Sequence, residues 1–407
     1  MEILYERCAG LDVHKDSVVV CLRTGSGAST RREHERFGTT TKALMALSDW
    51  LTERGCTHVV MESTGVYWKP VWHVLDGSFE LTLANAMHVR NVPGRKTDMN
   101  DATWLADLLA HGLVRGSFVP EAPVQQLRDL TRTRKQLTRE IAQHTQRIQK
   151  TLQDANVKLT SVLTDTLGKS GRRILEALAN GETDPLTLAG LAHKQVKAAP
   201  EDIAEALRGR VTEHHRFLLR LHLQQIEALE AAVQHLEARI GEQCAPFRDA
   251  VVRLTSIPGI SHTAAHVLVA EIGPDMSRFP SSAHLVSWAG LCPRSDESAG
   301  KRRSTRIRDG NGWLKSLLVQ SAWSASRKKD SYLRAQYHRL KARRGAKKAV
   351  VAVAASLLTI AFHLLRDGTL YKDLGAGHFD QRDKRRVTNR LLKRLADLGV
   401  EVEVKAA

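Results

Sequence analysis

The sequence predicts an α/β domain at the N-terminus, two long helices in the middle and a mainly helical, basic C-terminal part. Three observations support this architecture: runs of β-branched residues near the N-terminus, two leucine-rich repeats of helical spacing, and a small-residue-rich helical pattern after residue 250. With 407 residues, of which 42% are hydrophobic, the chain is long enough for two or three domains with cores of their own.

The strand patterns lie in residues 1–120, which we interpret as one α/β domain. They alternate with amphipathic segments whose leucines recur every three or four residues, the spacing of one helix face. The predicted elements, in order, are a hairpin or meander over 9–41 with a Gly/Ser turn at 25–29, a helix over 42–54, a buried strand over 58–63, a short strand over 81–84, and a helix over 97–111.

Two leucine-rich seams occupy residues 121–250. The first runs from Leu127 to Leu152 and the second, which is stricter, from Leu219 to Ile240. They predict two long helices, paired either as a hairpin within one subunit or as a coiled coil that joins subunits, and we favour the contact between subunits. Residues 153–210, which contain several Gly and Pro residues, are expected to be an insertion of short helices.

Positive charge is concentrated in the last part of the chain. The formal net charge is +17, and residues 251–407 carry 29 Lys and Arg against 13 Asp and Glu. Such an asymmetry indicates a polyanionic partner, and nucleic acid is the one we expect for this region. The last segment, residues 367–407, should contain a basic amphipathic helix over 381–398.

The cysteines and the apolar segments indicate a protein of the reducing cytoplasm, and we expect it there in association with the nucleoid. Five cysteines occur without a C-x-x-C pair, which argues against a disulfide framework and a structural zinc site. The first residues mix charged with apolar side chains, unlike a signal peptide. The apolar run 349–365 contains His363 and is shorter than a membrane span, so we expect a buried helix there.

Four acidic residues are candidates for a metal site. Asp12 lies within an apolar strand and Glu62 ends another, where a carboxylate is costly without a compensating partner. Asp98 and Asp101 are three residues apart at a predicted helix start and so share a face. Asp98 alone could be an ordinary helix-start acid. Together the four acids form a set of hard oxygen ligands suited to Mg²⁺, in the order used by an RNase H-like nuclease fold.

Two C-terminal segments predict contacts with DNA phosphates. LTSIPGISHTAAHVLVAEIG, residues 254–273, has the form of a helix-hairpin-helix, although an ordinary helical turn would look similar. A loop over 291–312 places Ser298 among basic residues, where a serine could attack a phosphate or be an ordinary solvated turn residue. The predicted nucleic-acid-binding residues are Gly259, Ser261, Lys301, Arg302, Arg303, Arg306, Arg308 and Lys315.

An ordered series of motifs lies in roughly residues 8–120 and 250–366. The motifs are GLDVHKDSVVV, MESTGVYWKPV, KTDMNDA, IPGIS…AEIG…FPSSAHLVSWAGLCPRSDESAGK and IRDGNGWLKSLLVQSA. In order and spacing they resemble the DEDD-type insertion-sequence transposases, which pair a RuvC-like domain with a C-terminal serine domain.

This resemblance implies a RuvC-like DEDD catalytic domain over 1–120 and a serine transposase domain over 251–366. It implies that Asp12, Glu62, Asp98 and Asp101 bind Mg²⁺ and that Ser298 forms a transient serine–DNA phosphate bond. It further implies an element-encoded bridge RNA that pairs with donor and target DNA. Homodimers that assemble into homotetramers would bring acids and serine together from different subunits.

The serine loop departs from the family pattern in one position. The family usually has Ser-Gly-Gly where this chain has Ser298, Ala299 and Gly300. A Cβ restricts the backbone at the second position, which leaves Ser295 and Ser304 as alternative nucleophiles.

The function predicted from the sequence is an RNA-guided DNA recombinase that excises and inserts its own insertion sequence. Two other classes stay open: a RuvC-like, metal-dependent, structure-specific endonuclease in which Ser298 is structural, and a nucleic-acid-binding protein without catalysis. The recombinase requires both the acids and the serine, the endonuclease requires only the acids, and the binding protein requires neither.

Overall fold

A computed structural model describes residues 3–63, 65–85, 89, 101–293, 296–298, 300–304, 306–382 and 384–400. The chain divides into two compact units, Met1–Val119 and Pro120–Ala407. Asp98 and Ser295 are outside the described residues, so the predictions for them are not addressed by this structure.

The N-terminal unit is built on a mixed sheet with the strand order β3-β2-β1-β4-β5. The first three strands form the predicted antiparallel meander, and β4 and β5 continue the sheet in parallel with β1. The strands are β1 (Arg7–Val13), β2 (Ser17–Thr24), β3 (Arg31–Gly38), β4 (His58–Glu62) and β5 (Glu80–Ala84). An α/β fold with this sheet agrees with the predicted class.

Helices cover both faces of this sheet. They are α1 (Thr41–Glu53), α2 (Trp68–Leu75) and α3 (Asp101–Ala110). Leu47 of α1 and Leu75 of α2 are buried with Leu11 on one face, whereas Leu105 of α3 is buried with Val60 on the other. Since side chains alternate along a strand, Gly10 and Asp12 of β1 belong to the face that α3 covers. The sequence analysis did not predict α2.

Gly10 allows α3 to lie directly against β1. A Cβ at this position would be 2.1 Å from the carbonyl oxygen of Ala102 and 2.5 Å from the amide nitrogen of Ala106, both in the backbone of α3. At the other end of the helix, the amide of Leu4 donates to the carbonyl of Ala110 at 2.8 Å. The helix therefore runs opposite to β1, and Asp101 at its start lies near the end of β1 that carries Asp12.

The C-terminal unit contains the two predicted long helices, α4 (Ala122–Asp154) and α9 (Glu213–Gln243). They pack along each other as an antiparallel hairpin within the chain. Three contacts define this arrangement: Asp154 pairs with His215 at the closed end, His144 contacts His222 along the hairpin, and Arg134 pairs with Glu237 towards the open end.

Short helices between α4 and α9 cover the closed end of the hairpin, in agreement with the predicted insertion. They are α5 (Leu159–Val162), α6 (Lys169–Ala179), α7 (Pro185–Gly190) and α8 (Pro200–Leu207). Leu219 and Ile226 of α9 are buried in their shared hydrophobic core. Assigning these two seam residues to a contact between subunits was therefore wrong, because the insertion and α4 already bury them. Leu229, Val233 and Leu236 are only partly buried.

The rest of the unit is mainly helical around α15. The apolar α15 is long enough to cross a membrane by length and composition, but Val353, Leu357 and Phe362 are buried against neighbouring helices, as the sequence predicts. The elements are α10 (Arg248–Thr255), α11 (His262–Ile272), α12 (Ser282–Trp288), β6 (Asp296–Ser298), β7 (Lys301–Ser304), α13 (Gly312–Ala325), α14 (Tyr332–Arg344), α15 (Ala346–Asp367), α16 (His378–Arg382) and α17 (Lys384–Asp397).

Adding one methyl group at Gly10 should destabilise the N-terminal unit. The Gly10→Ala substitution forces α3 away from β1, and overpacking of this kind costs about 1–3 kcal/mol. Gly38→Ala is the matched control, because its Cβ would be 3.5 Å from the nearest atom, the Cβ of Ala43. Urea unfolding of both variants measures the difference, and equal stabilities would contradict the close approach at Gly10.

Candidate active site

Asp12 and Glu62 lie side by side on the neighbouring parallel strands β1 and β4. The register between β1 and β4 pairs Leu11 with Met61, and the next residue of each strand is one of the two acids. Both side chains belong to the face covered by α3, since they follow Gly10 and Val60 by two residues. The side chain of Asp12 is 23% exposed and Glu62 is also partly exposed, so both carboxylates can be reached from solvent.

Asp101 is the first residue of α3 and lies at the same end of the sheet. The close packing of Ala102 on Gly10 holds this first turn against β1. One carboxylate oxygen of Asp101, Oδ1, is buried. The structure thus brings three of the four predicted acids to one region, formed by the ends of β1 and β4 and the start of α3.

His14 is a neighbour that the sequence analysis missed. Its Nε2 atom lies 3.1 Å from Oδ2 of Asp12, and its side chain is 58% exposed. The imidazole is thus close enough to hold the Asp12 carboxylate in one orientation. The sequence signal for this neighbour was its position two residues after Asp12 at the end of a predicted strand, because residues two apart along a strand share a face.

The donor chemistry of the acids fits a divalent metal ion such as Mg²⁺. Carboxylate oxygens are the ligands that Mg²⁺ prefers, and it commonly uses one or two of them together with substrate oxygens and water. Asp12 and Glu62 provide such a pair, and Asp101 lies at the same end of the sheet. Within the described part of the chain, however, no group of three or more potential metal-ligating side chains is arranged to hold an ion.

Ser298 lies at the turn of a β-hairpin. Strands β6 and β7 are antiparallel, with Ser298 opposite Lys301, and Gly300 lies in the turn between them. Gly300 has a φ of +72°, a left-handed conformation common in such turns. The prediction of a loop was therefore wrong in this part. For Ser298, Arg302 and Arg303 only the backbone is described, so the predictions for their side chains fall outside the described part.

The base of this hairpin is closed by two glycines in close contact. A Cβ on Gly310 would lie 2.5 Å from the amide nitrogen of Gly290, so neither position has room for a side chain. The amide of Arg308 donates to the carbonyl of Cys292 at 3.2 Å. Nζ of Lys315, on α13, donates to the carbonyl of Arg308 at 2.9 Å, which attaches the base to that helix.

A fully buried carboxylate, Glu271, joins the helices beside this base. Its side chain has 0% exposure and accepts hydrogen bonds from Arg132 at 2.8 and 2.9 Å. Asn311 donates to it through Nδ2, while Oδ1 of Asn311 accepts from the amides of Trp313 and Leu314 and so caps α13. Glu271 therefore connects α4, α11 and the start of α13.

Arg128 completes this network from the same helix as Arg132. It donates to the backbone carbonyls of Ala270 and Glu271 at 3.0 and 2.8 Å, near the end of α11. Burial lowers the pKa of its guanidinium, and the charge of Glu271 partly offsets this effect. Sequence reasoning missed the network, although an acid within the apolar run VLVAEIG was the same signal that singled out Asp12.

Gly259 and Ser261 both have structural roles in the turn between α10 and α11. Gly259 has a φ of +86°, and a Cβ there would be 2.4 Å from the carbonyl oxygen of Ser321. The close approach that requires this glycine is thus to α13. Ser261 caps α11 by accepting from the amide of Ala264 at 3.2 Å, and it is exposed. Phosphate binding by these two residues stays a prediction, as it does for Lys301, Arg306 and Arg308, which are exposed.

Two family models match the chain, one over each candidate catalytic element. The model of DEDD transposases of the IS110 type, described as "Transposase", matches residues 9–157. The model described as "Transposase IS116/IS110/IS902 family" matches residues 251–338. The chain belongs to the IS110 family of DEDD-type transposases. The first match includes Asp12, Glu62 and Asp101, and the second includes Ser298.

Two relatives of this IS110-family chain are similar over part of their length. The Streptomyces coelicolor protein named "Insertion element IS110 uncharacterized 43.6 kDa protein" is 36% identical over 121 residues, which is 29% of each chain. The Sinorhizobium fredii protein named "Putative transposase y4pF/y4sB" is 29% identical over 165 residues, 38% of this chain and 41% of the relative. The matched segments thus span less than half of either relative.

Removing the buried carboxylate should destabilise the C-terminal unit. The Glu271→Ala substitution removes the buried acceptor shared by Asn311 and Arg132 and the counter-charge of the mostly buried Arg128, and breaking a buried pair costs about 3–5 kcal/mol. Glu237→Ala is the control, since Glu237 and Arg134 form a partly exposed pair worth about 1 kcal/mol or less. Urea unfolding of the two variants checks the prediction, which fails if their losses are the same.

Proposed function

We propose that this IS110-family protein is a DNA recombinase that excises and inserts its own insertion sequence through a serine–DNA phosphate intermediate. The observation that carries the proposal is the hairpin in which Ser298 ends β6 opposite Lys301, with its base closed by Gly290 and Gly310. Family similarity over both the acids and this hairpin supports a mechanism that uses both.

In the proposed reaction, Oγ of Ser298 attacks the phosphorus of a DNA phosphodiester. A serine–phosphate ester forms, the bond to the leaving deoxyribose oxygen breaks, and the proton of the serine hydroxyl passes to solvent while the leaving oxygen takes one up. Attack by the hydroxyl of another strand reverses these steps and joins that strand to the phosphate. The exposed cations Lys301, Arg306 and Arg308 would stabilise the charge that develops on the phosphate oxygens.

Ser298 is a better nucleophile candidate than Ser304. Ser298 adjoins the turn, whereas Ser304 is at the other end of β7, near the base. The hydroxyl of Ser304 also accepts a hydrogen bond from the amide of Arg306 at 3.2 Å. Gly300 and Lys301, at the turn next to Ser298, are exposed, so a DNA strand can approach this end of the hairpin.

The acids would hold Mg²⁺, with Asp12 and Glu62 as the adjacent pair and Asp98 and Asp101 as further ligands. When bound, the metal ion would polarise the phosphodiester and stabilise its negative charge. His14 would keep Asp12 oriented through their 3.1 Å contact.

The proposal includes a bridge RNA that pairs with donor and target DNA, and homodimers that assemble into homotetramers. The partly buried Leu229, Val233 and Leu236 leave apolar surface on α9 that a second subunit could cover. The mass of the full chain in solution, with and without nucleic acid, tests the assembly.

A metal-dependent, structure-specific endonuclease would need the acids alone. The match over residues 251–338, which contains the hairpin, favours the recombinase over this second candidate.

Trapping the covalent intermediate tests the proposed function. With a nicked suicide substrate, the wild-type protein should form a covalent DNA adduct that maps to Ser298 after proteolysis. Ser298→Ala should form none, because it lacks the attacking oxygen, while Ser304→Ala should retain the adduct. An adduct on another residue, or strand exchange by Ser298→Ala, would show that Ser298 is not the nucleophile.

A further inference from the structure

We infer that Arg132, Lys135 and Arg139 on α4, together with Trp313 at the start of α13, form a binding surface for the phosphate backbone of DNA. The inference rests on the proposed function in that DNA is taken as the substrate. None of these four residues was among the predicted nucleic-acid-binding residues.

The three cations converge on a single indole ring. The distances to the ring centroid of Trp313 are 5.5 Å from Cζ of Arg132, 5.3 Å from Nζ of Lys135 and 5.4 Å from Cζ of Arg139. Spacings of three and four residues place the cations on one helix face. From the first to the last they rise by about 10 Å along α4, which corresponds to about three nucleotides along the axis of one DNA strand.

Of the three cations, Arg132 is the one with an anionic partner among the described residues. That partner is the completely buried Glu271, which also accepts a hydrogen bond from Asn311. Lys135 donates to the hydroxyl of Ser316, which is neutral. Arg139 is exposed and makes no ion pair with any residue that the structure describes.

The row therefore concentrates like charges at the surface. Burial lowers the pKa of the Lys135 ammonium and the nearby charge of Arg139 lowers it further, an effect that the charge of Glu271 only partly offsets. Holding cations together is unfavourable unless an anion offsets their repulsion. A polyanion that follows α4 would provide this compensation.

The row lies next to the base of the serine hairpin. Trp313 and Lys315 both belong to the first turn of α13, and Lys315 binds the backbone of Arg308 at the hairpin base. A DNA strand that reaches Ser298 must pass near this hairpin, so phosphates flanking the attacked one are the natural occupants of the row. The partly exposed indole of Trp313 adds an aromatic ring of the kind on which bases stack.

A purely structural role makes a different prediction. If the cations only pack α4 against α13 through the indole, their loss changes stability and leaves DNA binding as it was. A phosphate contact instead changes how binding depends on salt, because each neutralised phosphate releases counterions.

The test is the salt dependence of duplex DNA binding by the full chain without divalent metal. Fluorescence anisotropy between 50 and 200 mM salt should show that Arg139→Gln and Lys135→Gln each reduce the slope of log K against log salt by about 0.9, and the double variant by about 1.8. Arg134→Gln is the matched control, since it removes one charge from the same helix but its partner is Glu237. It should keep the wild-type slope.

Three outcomes would overturn the inference. The first is that Arg139→Gln and Lys135→Gln keep the wild-type slope of log K against log salt. The second is that Arg134→Gln reduces this slope as much as they do. The third is that the two variants reduce the slope for RNA of the same sequence but not for DNA, which would assign the row to RNA. Thermal unfolding of Arg139→Gln, an exposed position, should match the wild type. Ser298→Ala should bind with the wild-type slope whether or not Ser298 is the nucleophile, so failure of the proposed function would be seen separately, in the adduct assay.

Discussion

The buried carboxylate of Glu271 is the constraint on which the C-terminal unit depends. A charge removed from water is tolerated only with close partners, and here they come from α4 and from the residue that caps α13. Because Glu271 requires the hydrogen bond from Asn311, which caps α13, it fixes where that helix begins. Because Gly310 directly precedes that cap and closes the hairpin with Gly290, the same carboxylate positions the base of the element that carries Ser298.

In the N-terminal unit, the corresponding constraint is the absence of a side chain at Gly10. Gly10 lets the backbone of α3 contact β1, so the acid at the helix start lies at the end of the sheet where β1 and β4 present Asp12 and Glu62. Each unit thus positions its candidate reactive groups through one tightly constrained residue. In the proposed mechanism the acids of one unit and the serine of the other are both required for one reaction.

Local patterns predicted much of the fold. The meander, the two long helices and the apolar α15 followed from periodicity, and Asp12 and Glu62 were found because acids are costly in apolar strands. The β6–β7 hairpin was missed because its short, charged strands, DES and KRRS, have weak β-propensity. The burial of Leu219 and Ile226 depends on helices distant in sequence, which a heptad pattern does not specify. Glu271 could have been found by the criterion used for Asp12, but its partners come from residues about 40 and 140 positions away.

The central claim is that the acids at the sheet edge and the serine at the hairpin serve one reaction. The most direct measurement is the rate of covalent adduct formation by Asp12→Asn and Glu62→Gln in Mg²⁺, with DNA binding measured in parallel. The account predicts that both variants bind DNA but form the Ser298 adduct as poorly as Ser298→Ala does. Adduct formation by Asp12→Asn at the wild-type rate would contradict it, since the serine would then act without the acids.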